Sequence, residues 1–137
     1  MNRADLQKLS NLRIREAKIL FAAGEYSGAY YLAGYAAECA LKACIAKGVQ
    51  RYDFPDKSLA HESYSHDLVK LVKLADLDSE LTSSTGANPR LDASWNLTKS
   101  WTEKSRYSVR TKNEAEAIID AIARRNDGVL AWIKRRW

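Results

Sequence analysis

Few side chains in this sequence are equipped for chemistry. Its 137 residues include two histidines, His61 and His66, and two cysteines, Cys39 and Cys44. So few imidazoles and thiols assemble no zinc constellation, and no carboxylates are spaced for a metal, so neither metal nor cofactor is expected. The cysteines sit five positions apart in an alanine-rich stretch of helical character, the wrong direction and spacing for an easy disulfide. Buried free thiols are the expectation. There is no glycine-rich phosphate loop and no nucleophile placed beside a base.

Glu38 and Lys42 form an i, i+4 pair on an otherwise apolar stretch. They read as a structural ion pair or a hydrogen-bonded lock between helices. His66 stands where a helix begins, so capping or packing is its expected role. Tyr26, Tyr30, Tyr31 and Tyr35 recur at helical spacing, which fits core packing or a stacking surface for bases. Trp95 and Trp101 read as core or interface. Trp132 and Trp137, beside Lys134, Arg135 and Arg136, leave core and surface roles open.

Charge is concentrated late in the chain. With 22 Lys plus Arg against 17 Asp plus Glu, the formal charge is +5. Lys99, Lys104, Arg106, Arg110 and Lys112 face one acid, Glu103, within their span, and Arg124, Arg125, Lys134, Arg135 and Arg136 face only Asp127. Arginines around Tyr107, just before a helix start, suit a phosphate group, because free backbone amides and the helix dipole add to the side-chain charge. A solvated loop is the competing reading of the same segment.

The elements that must hold these residues are helices. Leu6, Leu9, Leu12, Ile19 and Leu20 predict an amphipathic first helix ending at Gly24. Tyr26 to Lys47 is apolar on nearly every side and rich in Gly and Ala, which marks a central helix closely approached by its neighbours. Residues 49–64 contain Pro55 and no clear period, so they read as a long loop; residues 82–88 read as a second irregular stretch. Ser65 is the expected cap of a short helix through Leu68, Leu71 and Val72. Asn88-Pro89 predicts another helix start, and Thr111 with Glu114 predicts a capping box opening a long final helix that buries Ala115, Ile118, Ile122, Val129, Leu130 and Ile133. The expected architecture is all-α, an up-and-down bundle of four or five helices around the second, forming one domain over residues 1–137. The hydrophobic fraction of 46% excludes a chain disordered throughout, and no apolar run reaches the ~20 residues of a membrane span. The start Met1-Asn2-Arg3-Ala4-Asp5 is charged, unlike a signal peptide, so a cytoplasmic protein is expected.

The second helix with its entry turn, from Gly24-Glu25-Tyr26 through Tyr35-Ala36-Ala37-Glu38-Cys39-Ala40-Leu41-Lys42, resembles the signature helix of the HEPN superfamily, the nucleotide-binding domain shared by higher eukaryotes and prokaryotes. Ser65-His66-Asp67-Leu68 is similar to the family's entry to its third helix, and Ser105-Arg106-Tyr107 to the residues before its last. The resemblance implies a homodimeric helical bundle of the type encoded beside a nucleotidyltransferase partner in toxin–antitoxin pairs. It also implies a nucleotide or RNA ligand, and many members are metal-independent RNases. Their activity rests on an arginine and a histidine separated by four to six residues. Here Thr111, Lys112 and Asn113 stand five to seven positions beyond Arg106, and Ala115, Glu116 and Ala117 beyond Arg110. Asn113 can hydrogen-bond but cannot titrate. The phosphate-binding set is therefore Arg106, Arg110, Tyr107 and Asn113, in a non-catalytic domain. The alternatives are an RNase whose displaced acid or base is His66 or His61, with Glu38 a further candidate, and a purely structural helical module.

Overall fold

The computed structural model describes residues 1–49 and 57–137. Among them the order is α1 (Arg3–Ala22), α2 (Tyr26–Gly48), α3 (Lys57–Glu62), α4 (Leu68–Leu74), α5 (Asp78–Ala87), α6 (Pro89–Thr98), a 3-10 turn (Glu103–Tyr107), α7 (Lys112–Ala123) and α8 (Val129–Lys134), with no strand. The all-α bundle is built around α2. That helix packs against α1, α4, α7, α8 and the 3-10 turn.

The helix starts follow from local chemistry. Asn2 and Asp5 cap α1 reciprocally: the Asp5 amide donates to Asn2 Oδ1 at 2.9 Å and the Asn2 amide to Asp5 Oδ2 at 3.1 Å. Gly24, at φ +83°, takes the left-handed conformation that ends α1 and turns the chain into α2. Asn88 caps α6 through the amides of Arg90 and Leu91, with Pro89 in the first turn. The Thr111–Glu114 capping box opens α7 as its spacing predicts.

Small residues make α2 central. Ala29, Ala33, Ala36, Ala37, Ala40 and Ala43 are fully buried, so neighbouring backbones come close. Opposite them α1 does not present its leucines squarely: its buried residues are Ser10, Ile14 and Ala17, and Ser10 Oγ donates to the Ala36 carbonyl at 2.8 Å. Two small surfaces meet, and Leu6, Leu9 and Leu12 flank the seam, half-buried. Leu41, Leu68, Leu71, Ile118, Ile122 and Ile133 supply the bulk of the core. Each such side chain, fully buried, contributes about 1.5–3 kcal/mol.

Four local expectations are corrected. Residues 57–62 are helical, not part of a loop; only Leu59 of this short helix packs on the core, which leaves no period to read. Pro55 lies outside the described residues. The Thr82–Ala87 stretch belongs to α5, because Thr82 and Thr85 turn their hydroxyls onto the Asp78 and Leu81 carbonyls at 3.0 and 2.9 Å and so fit a helix interior. The cap of α4 is Asp67, whose carboxylate accepts from the Val69 and Lys70 amides, while Ser65 accepts from the Asp67 amide; His66 thus precedes the cap. The final helix is broken between Arg124 and Gly128. Asn88 Nδ2 holds Asp127 at 3.1 Å, and a Cβ at Gly128 would lie 2.3 Å from the Arg124 carbonyl, so the chain turns sharply there.

One close approach sets the position of the 3-10 turn. Trp101, 1% exposed, lies on Gly34 so tightly that a Cβ there would fall 2.2 Å from the indole ring. Gly34→Ala is expected to lower stability by about 1–3 kcal/mol through overpacking. Gly86→Ala, in a helix position with open space, is the control and is expected to be neutral or stabilising. Paired urea denaturation curves check this; a Gly34→Ala midpoint equal to wild type would remove the constraint.

Candidate functional site: a basic turn and a buried carboxylate

The segment from Trp101 to Thr111 is held at both ends. At its start Trp101 is seated on Gly34, stacked on Tyr31 at 6.0 Å, and Ser105 is buried. At its end the Arg110 amide donates to Ser27 Oγ at 2.8 Å, and the Arg110 guanidinium lies 4.2 Å over the Tyr30 ring while Nη1 meets Glu114 Oε2 at 3.1 Å. Arg110 Nε is buried without a partner among the described residues. Both anchors are on α2.

Between the anchors the turn projects. Tyr107 is 82% exposed and Val109 93% exposed, with the Arg106 guanidinium 5.3 Å over the Tyr107 ring. Lys99, Lys104, Arg106 and Lys112 are exposed, and none makes an ion pair among the described residues. Two cations and an exposed aromatic ring on the anchored turn, with Lys99 before it and Lys112 at the start of α7, form a surface able to take an anion.

The four residues singled out for phosphate are therefore not equivalent. Arg106 and Tyr107 stand together and free. Arg110 belongs to the scaffold, because stacking on Tyr30 and pairing with Glu114 occupy its guanidinium. Asn113 faces elsewhere, into an open groove between α1 and α7 whose walls include Lys18, Phe21, Glu116 and Asp120 but neither arginine.

The second cluster is on α2 and just before α4. Glu38 is 2% exposed, and its Oε1 lies 2.8 Å from His66 Nδ1 while its Oε2 lies 3.3 Å from Lys42 Nζ. A buried carboxylate needs such partners, since an unpaired one costs several kcal/mol. With Nδ1 engaged and the side chain 46% exposed, His66 offers Nε2 outward, with no other partner among the described residues. His61 is exposed on α3.

The remaining candidates are structural. Tyr30 is buried and Tyr26, Tyr31 and Tyr35 are half-buried against the core. Burial raises Cys39 to about 12 and Cys44 to about 11, so both remain neutral, unreactive thiols. The basic C-terminus is tied down: Arg136 stacks 3.8 Å over Trp132 and pairs with Glu80 at 2.9 Å, Lys134 donates to Asn11, and Arg135 donates to the Asn126 carbonyl. Ser27 and Tyr30 as seats for Arg110 were not foreseen; only their place at the mouth of the central helix hinted at it. Among the described residues no group of three or more potential ligands could hold a metal. No helix among them is long and apolar enough to cross a membrane.

Comparison with known proteins finds no matching family model, no matching curated protein and no matching solved structure.

The Arg110–Glu114 contact makes a pH-dependent prediction. The Glu114 carboxyl is held below its ordinary value, first by the Thr111 backbone amide and then by the Arg110 side chain. Its stabilisation is therefore complete above the ordinary carboxylate range and fades as pH falls through the lowered value. Melting temperatures of wild type and Glu114→Ala should differ at neutral pH and converge in acid. A gap constant down to pH 2 would mean the charge of Glu114 has no part in it.

Proposed function

We propose that this chain is a HEPN-like helical domain that binds nucleotide or RNA through phosphate contacts at the 104–112 turn, without cutting it. The observation that carries the reading is the pair of exposed, unpaired cations Lys104 and Arg106 beside the exposed Tyr107, on a segment anchored at both ends to the central helix, with exposed Lys112 just beyond it at the start of α7. An anchored backbone suits a polyanion because little main-chain freedom remains to be lost on binding. The likeness of α2, Ser65-His66-Asp67-Leu68 and Ser105-Arg106-Tyr107 to the HEPN pattern adds a homodimer and a nucleotidyltransferase partner of toxin–antitoxin type to the same reading. Its place is the cytoplasm.

The test is titration of a labelled RNA oligonucleotide at several salt concentrations. Arg106→Ala with Lys112→Ala should weaken binding about tenfold or more at low salt and flatten the salt dependence by about one unit of log–log slope per contact removed. Arg110→Ala should instead lower the melting temperature, because Arg110 is part of the scaffold. Unchanged affinity of the double variant at both low and physiological salt would refute the assignment.

A second reading is favoured by one observation, the 2.8 Å contact between His66 Nδ1 and Glu38 with Nε2 left free. A carboxylate-oriented imidazole is a general acid–base arrangement, able in principle to take the proton of a ribose 2′-hydroxyl. The binding reading expects no metal-independent RNA cleavage by purified protein. Cleavage abolished by His66→Ala and retained in His61→Ala would replace it with the RNase reading.

A further inference from the structure

Along α2 the residues Tyr35, Glu38, Cys39, Lys42, Ile45, Ala46 and Val49 recur at three- and four-residue intervals and therefore share one face. That face is one wall of a cavity of about 430 Å³ closed by α1 and α3. Leu6 and Leu9 of α1 and Leu59 and Ala60 of α3 form the opposite walls, and the lining is mostly hydrocarbon. The volume falls within the range of small-molecule sites. Tyr30, which seats the end of the basic turn, lies eight residues before Glu38, roughly 12 Å along the helix axis at ~1.5 Å per residue. The cavity is thus separate from the proposed phosphate surface.

Its polar end is unbalanced. Both Glu38 oxygens already accept, one near His66 and one near Lys42. Lys42 carries three N–H donors, and Glu38 is its single acceptor among the described residues. The Tyr35 hydroxyl has no hydrogen-bond partner there either, and burial keeps the phenol above its ordinary value, so it stays a donor. Spare donors at one end of an apolar cavity select an acceptor head on an apolar body. The charge sum agrees: Lys42 offsets Glu38, so an entering anion meets no uncompensated negative charge, whereas an ammonium would meet Lys42 directly.

We propose that this cavity binds a small amphipathic carboxylate, its hydrocarbon body between Leu6, Leu9 and Leu59 and its carboxylate accepting from Lys42 Nζ and the Tyr35 hydroxyl. The pair of Glu38 and His66 is the positioning element: it holds the lysine stem against the wall so that its remaining N–H groups face inward. The ligand completes the hydrogen bonding of Lys42 and covers apolar wall that is otherwise wetted.

Calorimetric titration and melting curves of the full chain with sodium octanoate test this, with octylammonium chloride and octanol as matched bodies carrying a different head. Octanoate should bind one per chain and raise the melting temperature, and the other two should bind at least tenfold more weakly. Lys42→Met should weaken octanoate binding at least tenfold. Ala60→Trp, an exposed position on the α3 wall, should block the cavity while leaving the fold intact, which keeps the test decisive if the lysine variant does not fold. No octanoate binding at millimolar concentration, equal binding of octylammonium or octanol, or binding that survives Ala60→Trp would each overturn the proposal. RNA binding by the turn is unaffected by any of these outcomes.

Discussion

The architecture depends on how little side chain α2 carries. A helix whose neighbours must reach its backbone can admit them only where residues are Ala or Gly, and Gly34 is the extreme case, with the Trp101 indole resting where a Cβ would be. That contact fixes more than a core residue. Trp101 is the last anchor before the 3-10 turn, and Arg110 is tied to the same helix at Ser27 and Tyr30, so the exposed turn hangs between two points of α2. Ser27 and Gly34 are about two helical turns apart, roughly 10 Å at 1.5 Å per residue, and the intervening chain has to loop outward. Tyr107 and Val109 project because the ends of their segment are pinned close together. Their exposure is a consequence of packing elsewhere.

The same helix carries a charge in its buried face. A carboxylate at 2% exposure stabilises nothing by itself; it is tolerated because His66 reaches it from the chain before α4 and Lys42 from one turn further along. Replacing such a cluster with apolar residues is often neutral or stabilising, so the cluster is weak evidence for stability. What it does fix is orientation. His66 is locked by one ring nitrogen, and Lys42 is drawn to one wall of the cavity.

Much of this was legible in the sequence, and the reasons differ by element. The Asn88-Pro89 start, the Thr111–Glu114 box and the Gly24 stop were readable because each is a local contest among a few backbone groups, settled within four residues. The central place of α2 was readable because a helix apolar on all sides has nowhere else to be. The helicity of residues 82–87 was hidden because Ser and Thr compete with the backbone for hydrogen bonds, and which side wins depends on rotamers that composition does not show. The break at 124–128 is set by Asn88, far away in sequence, through its bond to Asp127. Among the candidate site residues, Glu38 and His66 were each nameable from their positions; their 2.8 Å contact, across 28 residues of sequence, was not. Arg110 and Asn113 were grouped with Arg106 by the resemblance's arginine–histidine spacing, and tertiary contacts separate all three in role.

The two basic runs show why net charge is a poor guide to where a polyanion would bind. They are equal in count, and the sequence treats them alike. In the fold, the end of the C-terminal run is committed: Arg136 to Trp132 and Glu80, Lys134 to Asn11, Arg135 to a backbone carbonyl, while Arg3 and Lys47 donate to the carbonyls of Trp137 and Arg136. Those charges close the bundle by joining α8 to α1, α2 and α5. Arg124 pairs with Asp120, and Arg125 stays exposed. At the turn, Lys104, Arg106 and Lys112 have no acidic partner, and the nearby acid that could serve, Glu114, is held by Thr111 and Arg110. Screening at physiological ionic strength confines an exposed charge's influence to about 8 Å, so only cations that are unpaired at the point of contact can recruit a phosphate. By that criterion the cations at the end of the chain act as a structural lock while those at the turn keep their charge unpaired, and Arg110 belongs to the scaffold of that surface while Arg106 belongs to its face.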